Sequence, residues 1–132
     1  MKLKAEIIDV AKNIHLLSVA GRIKIGNLEP IEKEFQRLVS SRGVKLIVDV
    51  QNVDAIDSSG IGELIKERTK LVESGGNMVL LGSGTKVEMV MKLSGLINHF
   101  PVAATQEEAI EILNQPPQTK TTDSSDEASD PE

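Results

Sequence analysis

A chain of 132 residues is long enough for one domain with a real core. Apolar residues make up 39%, but Phe35 and Phe100 are the only large aromatics, so the core must come from Val, Ile, Leu and Met, with no platform for stacking bases. Of the net charge of −5, residues 116–132 hold −4 (Asp123, Asp126, Glu127, Asp130 and Glu132 against Lys120), and the absence of a basic face argues against nucleic acid or an anionic membrane as partner.

Glu6–Val10 and Ile14–Ala20 read as two short strands, and the brief Ala11-Lys12-Asn13 link predicts an antiparallel hairpin. From Leu28 the apolar spacing turns helical. Leu28, Ile31, Phe35, Leu38 and Val39 form one stripe opposite Glu32, Lys33 and Arg37, with Gly43 as the expected stop. Val44–Val50 is apolar almost throughout, which predicts a strand with no wet face, followed by a turn through Asn52 to Ile56. A second helix is expected from about Ser59 to Glu73, with Ile61, Leu64, Ile65, Leu71 and Val72 inward. Glu63 and Glu67 near its start, and Lys66, Arg68 and Lys70 beyond, read as a charge order suited to the helix dipole.

Ser74-Gly75-Gly76 ends that helix, and Asn77–Leu81 is the next strand. A third helix is predicted over about Thr85–Leu93, a short last strand over Phe100–Ala103, and a final helix capped by Thr105 with Glu107 and Glu108 in its first turn. These elements place one α/β domain in residues 1–115, with a mixed sheet of four to five strands and about four helices. Pro116-Pro117 breaks the pattern. Residues 116–132 are acidic and lack periodicity, so this tail is expected to be disordered.

Cysteine is absent, which removes disulfides and thiolate metal sites. Met1–Ala5 briefly resembles the start of a secretion signal, but Glu6 and Asp9 interrupt it. No apolar run approaches the ~20 residues needed to span a bilayer. The expectation is a cytoplasmic protein without direct membrane binding.

Asp57-Ser58-Ser59-Gly60-Ile61-Gly62 brings two hydroxyls to the start of the second helix. The first N–H groups of a helix lack internal partners and carry partial positive charge, so an oxygen-bearing side chain caps them and an added anion is stabilised there. A serine in this position is a candidate for reversible phosphorylation. The plainer alternative is that Asp57 or Ser58 is only an N-cap.

Around that motif stand Gly21-Arg22-Ile23, Leu46-Ile47-Val48-Asp49-Val50, Ile56 through Gly62, Gly75-Gly76 and Leu93-Ser94-Gly95-Leu96. Their types and order, over roughly residues 5 to 113, resemble the STAS domain of bacterial anti-sigma factor antagonists. The resemblance implies a STAS-like fold and a non-enzymatic switch. Unphosphorylated, such a protein binds an anti-sigma factor that is also a serine kinase and so frees a sigma factor; phosphorylated, it lets go, and a phosphatase resets it. By the same resemblance Ser58 is the acceptor, and Asp57 orients its hydroxyl or contacts the kinase. Gly60 and Gly62 keep the helix start open to close approach. Ser59, Ile61, Lys24, Gly84, Thr85 and Lys86 join Asp57, Gly60 and Gly62 as partner contacts. ATP and Mg²⁺ belong to the kinase, so this chain needs no cofactor. Lys24 departs from the better-known members, which often carry an acid there. The alternative within the resemblance is a STAS scaffold in a larger signalling assembly or a transporter complex.

Other chemistries fit less well. Asp49, Asp54 and Asp57 suggest a phospho-acceptor aspartate, but the first strand offers only Asp9 where an acidic pair would hold Mg²⁺. Asp49 is then a strand-end residue bonding local backbone N–H groups. Gly82-Ser83-Gly84-Thr85-Lys86 has lysine after threonine, the reverse of a phosphate loop, and reads as a turn with Thr85 as cap. Gly-x-Ser-x-Gly does not occur around Ser58 or Ser59, and His15 and His99 have no evident acidic orienter or metal-binding spacing. Met78, Met89 and Met91 read as core or helix-face filler.

Overall fold

The structure, a computed structural model, describes residues 1–38 and 40–117. Val39, the last member of the first helical stripe, and residues 118–132, most of the acidic tail, lie outside the described residues.

Among the described residues five strands and four α-helices alternate much as the periodicity predicts: β1 (Lys2–Asp9), β2 (Ile14–Ile23), α1 (Glu29–Leu38), β3 (Lys45–Ile56), α2 (Ser58–Glu73), β4 (Asn77–Leu81), α3 (Lys86–Leu93), β5 (Val102–Ala103) and α4 (Gln106–Leu113), with a 3₁₀ turn at Ile97–His99. The strands lie side by side in chain order. β1 runs antiparallel to β2, and every later pair is parallel. Each parallel crossover steps the same way across the sheet, so the right-handed rule sends α1, α2 and α3 to one face.

The core divides accordingly. On the three-helix face Ile31 and Phe35 of α1, Ile61, Leu64 and Leu71 of α2, and Val87 and Met91 of α3 pack with Leu46, Val48, Met78 and Leu80. On the other face Ala109 and Leu113 of α4 cover Ile47, Val79, Leu81 and Ala103. Fully burying each such aliphatic side chain contributes about 1.5–3 kcal/mol, and this packing rather than local propensity holds the short helices.

Several boundaries differ from the sequence reading, each for a pairing or burial reason. β1 begins at Lys2, because its ladder to β2 runs from Lys2 opposite Ala20 through Asp9 opposite Ile14. The expected turn through Asn52 to Ile56 does not exist. Two extra residues in β3, one between Asp49 and Asn52 and one between Val53 and Ala55, let it continue with Asn52 opposite Ala20, Val53 opposite Gly21 and Ile56 opposite Ile23, burying Val53 and Ile56. Val44–Val50 contains no exposed residue, as expected, but the extension beyond it is wet at Gln51 and Asn52, and Asp49 is half-buried mid-strand rather than at a strand end, its Oδ1 accepting from the Gln51 backbone N–H at 3.0 Å. Gly21-Arg22-Ile23 lies inside β2. α1 ends at Leu38, well before Gly43, whose N–H donates to the Ser74 carbonyl. Met89 is mostly exposed, whereas Met78 and Met91 are core.

The close of α2 follows the sequence reading. Gly75, at φ +93°, donates to the Val72 carbonyl and Gly76 to that of Leu71, so the last carbonyls are satisfied by a glycine turn. Glu63 and Glu67, however, are not surface acids of a first turn. Both are buried, Glu67 to 1% exposure, on the side of α2 from which Lys66 reaches Glu32 of α1.

Candidate functional site

The last paired residues of β2 and β3, Ile23 and Ile56, lie opposite each other, and Asp57 and Ser58 follow directly. Asp57 has extended backbone and is the N-cap of α2; its Oδ1 accepts from the Gly60 N–H at 2.9 Å, and the Ile61 N–H reaches its carbonyl. Its other oxygen, Oδ2, accepts from the Ile25 N–H at 3.1 Å across 32 positions of sequence. These two bonds, Gly60 first and Ile25 second, hold the Asp57 carboxyl below its usual pKa. Asp57 thus fastens the β2–α1 loop to the start of α2, with both oxygens engaged by backbone and neither given to the neighbouring serine.

Ser58 is the first helical residue, one position after the cap, and is exposed. Its hydroxyl has no hydrogen-bond partner among the described residues, so a group added there meets solvent on one side and the positive end of a 16-residue helix on the other. Ser59 is half-buried and Ile61 fully buried, which makes Ile61 an anchor of α2 in the core and removes it from the partner surface that the sequence suggested.

The two glycines part company. A Cβ on Gly60 would lie 2.5 Å from the Ile23 carbonyl oxygen and 2.8 Å from side-chain carbons of Ile23 and Ile56, whereas one on Gly62 would meet nothing within 4 Å. Gly60 therefore admits the sheet, not a partner, to close approach. Gly62 leaves open space.

Lys24 is exposed at the start of the β2–α1 loop. Asn27 shapes that loop, accepting from the Lys24 N–H at 2.9 Å and donating to the Arg22 carbonyl at 2.8 Å. Between them Ile25 holds its side chain 76% exposed. Ile25 lies within the Gly21-to-Gly26 segment that the sequence suggests as part of the partner face, whereas Asn27 falls outside it. The Gly26-Asn27 pair is a turn signal that marks the loop, but the contact with Asp57 follows only from the alignment of strand ends.

Gly84, Thr85 and Lys86 open α3. Thr85 is its N-cap and donates to the Gly82 carbonyl at 2.6 Å, while Glu88 reaches back to the Gly84 N–H at 2.7 Å. Lys86 is exposed. The loop leaves the carboxyl end of β4, as Ser58 follows that of β3, but the two ends are not level. The β3–β4 ladder closes with Asp49 opposite Leu81, and β3 runs seven residues further to Ile56, roughly 20 Å of extended chain. Lys24, joined through Ile25 to Asp57, belongs to the immediate surroundings of Ser58; Lys86 stands further down the same end of the sheet.

Among the described residues there is no cluster of His, Cys, Asp and Glu able to hold a metal, and no helix is long and apolar enough to cross a membrane.

This architecture, with the Asp-Ser-Ser-Gly-Ile-Gly motif where an over-long parallel strand enters a helix, matches a known domain type. The STAS domain family matches residues 7–109, and the chain belongs to it. Among curated relatives, BtrV of Bordetella bronchiseptica strain RB50, a candidate anti-sigma factor antagonist, is 28% identical over 109 residues, covering 83% of this chain and 91% of that protein. Among solved structures, the anti-sigma factor antagonist SpoIIAA in its unphosphorylated form superposes with a TM-score of 0.66 at 24% identity, covering 83% of this chain and 94% of that one. SpoIIAA, a cell fate determinant of Bacillus, is similar in its phosphorylated form too, with a TM-score of 0.61 at 23% identity over 83% and 97% of the two chains. A STAS domain protein of Planctomyces limnophilus gives a TM-score of 0.71 at 18% identity over 86% and 98%. The structural likenesses establish the shared fold.

Proposed function

We propose that this chain is an anti-sigma factor antagonist working by phosphorylation-controlled partner switching in the cytoplasm. Unphosphorylated, it binds an anti-sigma factor that is also a serine kinase, and the sigma factor is released. The kinase, supplying ATP and Mg²⁺, modifies Ser58, the complex dissociates, and a phosphatase restores the hydroxyl. The chain itself acts by binding and not by catalysis. The observation that carries this reading is the placement of Ser58: exposed, at the first helical position, beside a cap residue that also holds the neighbouring loop.

The physical mechanism is charge. Phosphorylation adds about −1.5 to −2 at a surface that must lose its water on binding, next to the Asp57 carboxylate. Dissociation requires little, since about 1.4 kcal/mol already changes affinity tenfold. Exposed Lys24, Ile25 and Gly62 form the near surroundings of the contact, and Gly84, Thr85 and Lys86 its outer part.

The test is phosphopeptide mapping after incubation with ATP and an anti-sigma kinase of the same cell, with affinity measured before and after. Ser58 should carry the phosphate, Ser58→Ala should remain unmodified yet bind, and phosphorylation should weaken binding at least about tenfold. Modification at Ser59 or Ser83, or equal affinity of both forms, would overturn the reading.

A further inference from the structure

α2 carries a buried charge cluster that plays no part in the switch described above. Glu63 and Glu67 lie one turn apart on its inward side, and each has one carboxyl oxygen, Glu63 Oε2 and Glu67 Oε1, buried without a hydrogen-bond partner. Lys66 Nζ reaches Glu63 at 3.0 Å, Glu32 of α1 at 3.1 Å and Glu67 at 3.9 Å; Lys70 Nζ reaches Glu67 at 3.7 Å. Both lysines are about half exposed, so their charges are partly spent on water, whereas the two inner carboxyls have almost none. Leu46, Val48, Met78 and Leu80, which β3 and β4 contribute to this core, bring no further charge.

Fully ionised, the three carboxylates outnumber the two ammonium groups. Two buried carboxylates one turn apart cannot both ionise cheaply, and an unpaired buried oxygen is a costly acceptor. One proton answers both problems, because it neutralises the excess charge and makes one carboxyl a donor to the other.

We propose that Glu67 keeps its proton inside the folded domain and turns it toward Glu63, so that the domain loses stability as pH rises through neutrality. Burial, and after it the neighbouring Glu63 carboxyl, pushes the Glu67 carboxyl up to about 7 from 4.5. The folded state therefore binds a proton that the unfolded chain has released. The stabilising contribution is whole below about 4.5, falls as pH rises, and is gone above about 7. Over that range the folding equilibrium constant falls by about two orders of magnitude from this group alone.

The experiment is a carbon-detected NMR titration of the glutamate carboxyls in the full chain, paired with denaturant unfolding at several pH values for the parent, Glu67→Gln and Glu63→Gln. The Glu67 carboxyl should titrate near neutrality. Glu67→Gln, which donates permanently to Glu63, should lose the parent's fall in stability between pH 5 and 8. Glu63→Gln should move the Glu67 midpoint down by removing the neighbouring negative charge. A Glu67 midpoint below 5, an unchanged pH slope in Glu67→Gln, or a Glu67 midpoint indifferent to Glu63→Gln would each overturn the proposal. The NMR titration of the parent decides the matter even if a variant does not fold.

Discussion

The same substitution, two residues apart on α2, should change stability in opposite directions. Replacing a helical glycine by alanine ordinarily gains about 1 kcal/mol, because alanine loses less backbone freedom on folding. At Gly62 nothing lies within 4 Å of the added methyl, so Gly62→Ala should realise most of that gain. At Gly60 the methyl arrives 2.5 Å from the Ile23 carbonyl oxygen, nearly 1 Å inside a normal carbon–oxygen contact. That oxygen belongs to backbone at the end of the β2–β3 ladder and also accepts from the Asp57 N–H at 3.2 Å. It cannot swing away as a side-chain tip could, and the Ile56 side chain closes the other side at 2.8 Å. Overpacking costs about 1–3 kcal/mol, and a contact this short with fixed backbone belongs at the upper end, so after the gain of about 1 kcal/mol the net effect of Gly60→Ala should be a loss of about 2 kcal/mol. In a domain of this size each kcal/mol moves the midpoint by roughly 4 °C. Thermal unfolding should therefore show Gly60→Ala falling by roughly 8 °C and Gly62→Ala rising by a few degrees. If Gly60→Ala were as stable as the parent, or moved with Gly62→Ala, the packing of α2 against the strand ends would be wrong.

Two further outcomes test the surroundings of Ser58. Asp57→Ala removes the α2 cap and the bond to Ile25, and should cost about 1–2 kcal/mol at pH 7. The Asp57 carboxyl has a lowered pKa in the fold, so its contribution is present above 3.8 and is lost as pH falls through the folded value. Denaturant unfolding of parent and variant should accordingly converge in acid, and a constant difference down to pH 2 would contradict the assigned bonds. Lys24→Glu and Lys86→Glu, both at exposed positions, should each leave stability within about 0.5 kcal/mol while slowing association with the anti-sigma factor. Stopped-flow rates should show the larger effect for Lys24, because Lys86 lies further along the sheet; indifference of the rate to both changes together would place the partner elsewhere.

Much of this molecule is legible in its residues alone. Apolar spacing in Ile31, Phe35 and Leu38, the run Leu46-Ile47-Val48, the caps Thr85 and Thr105 and the glycine stop at Gly75 act through neighbours within a turn or a strand, so local pattern suffices to find them. The candidate acceptor serine is equally local, because a helix start is written in the few residues around it. Tertiary pairing decided what depends on partners far along the chain. β3 extends to Ile56 because it bulges to stay paired with Ala20 to Ile23 of β2, and no propensity in Asn52 or Asp54 announces it. Asp57 reaches Ile25 only because β2 and β3 end together, and Gly60 differs from Gly62 only because Ile23 stands over one of them. Glu63 and Glu67 look like surface acids in any window of sequence. They are buried because Leu64 and Leu71 turn α2 onto the sheet and carry the adjacent carboxyls in with them, against the side of α1.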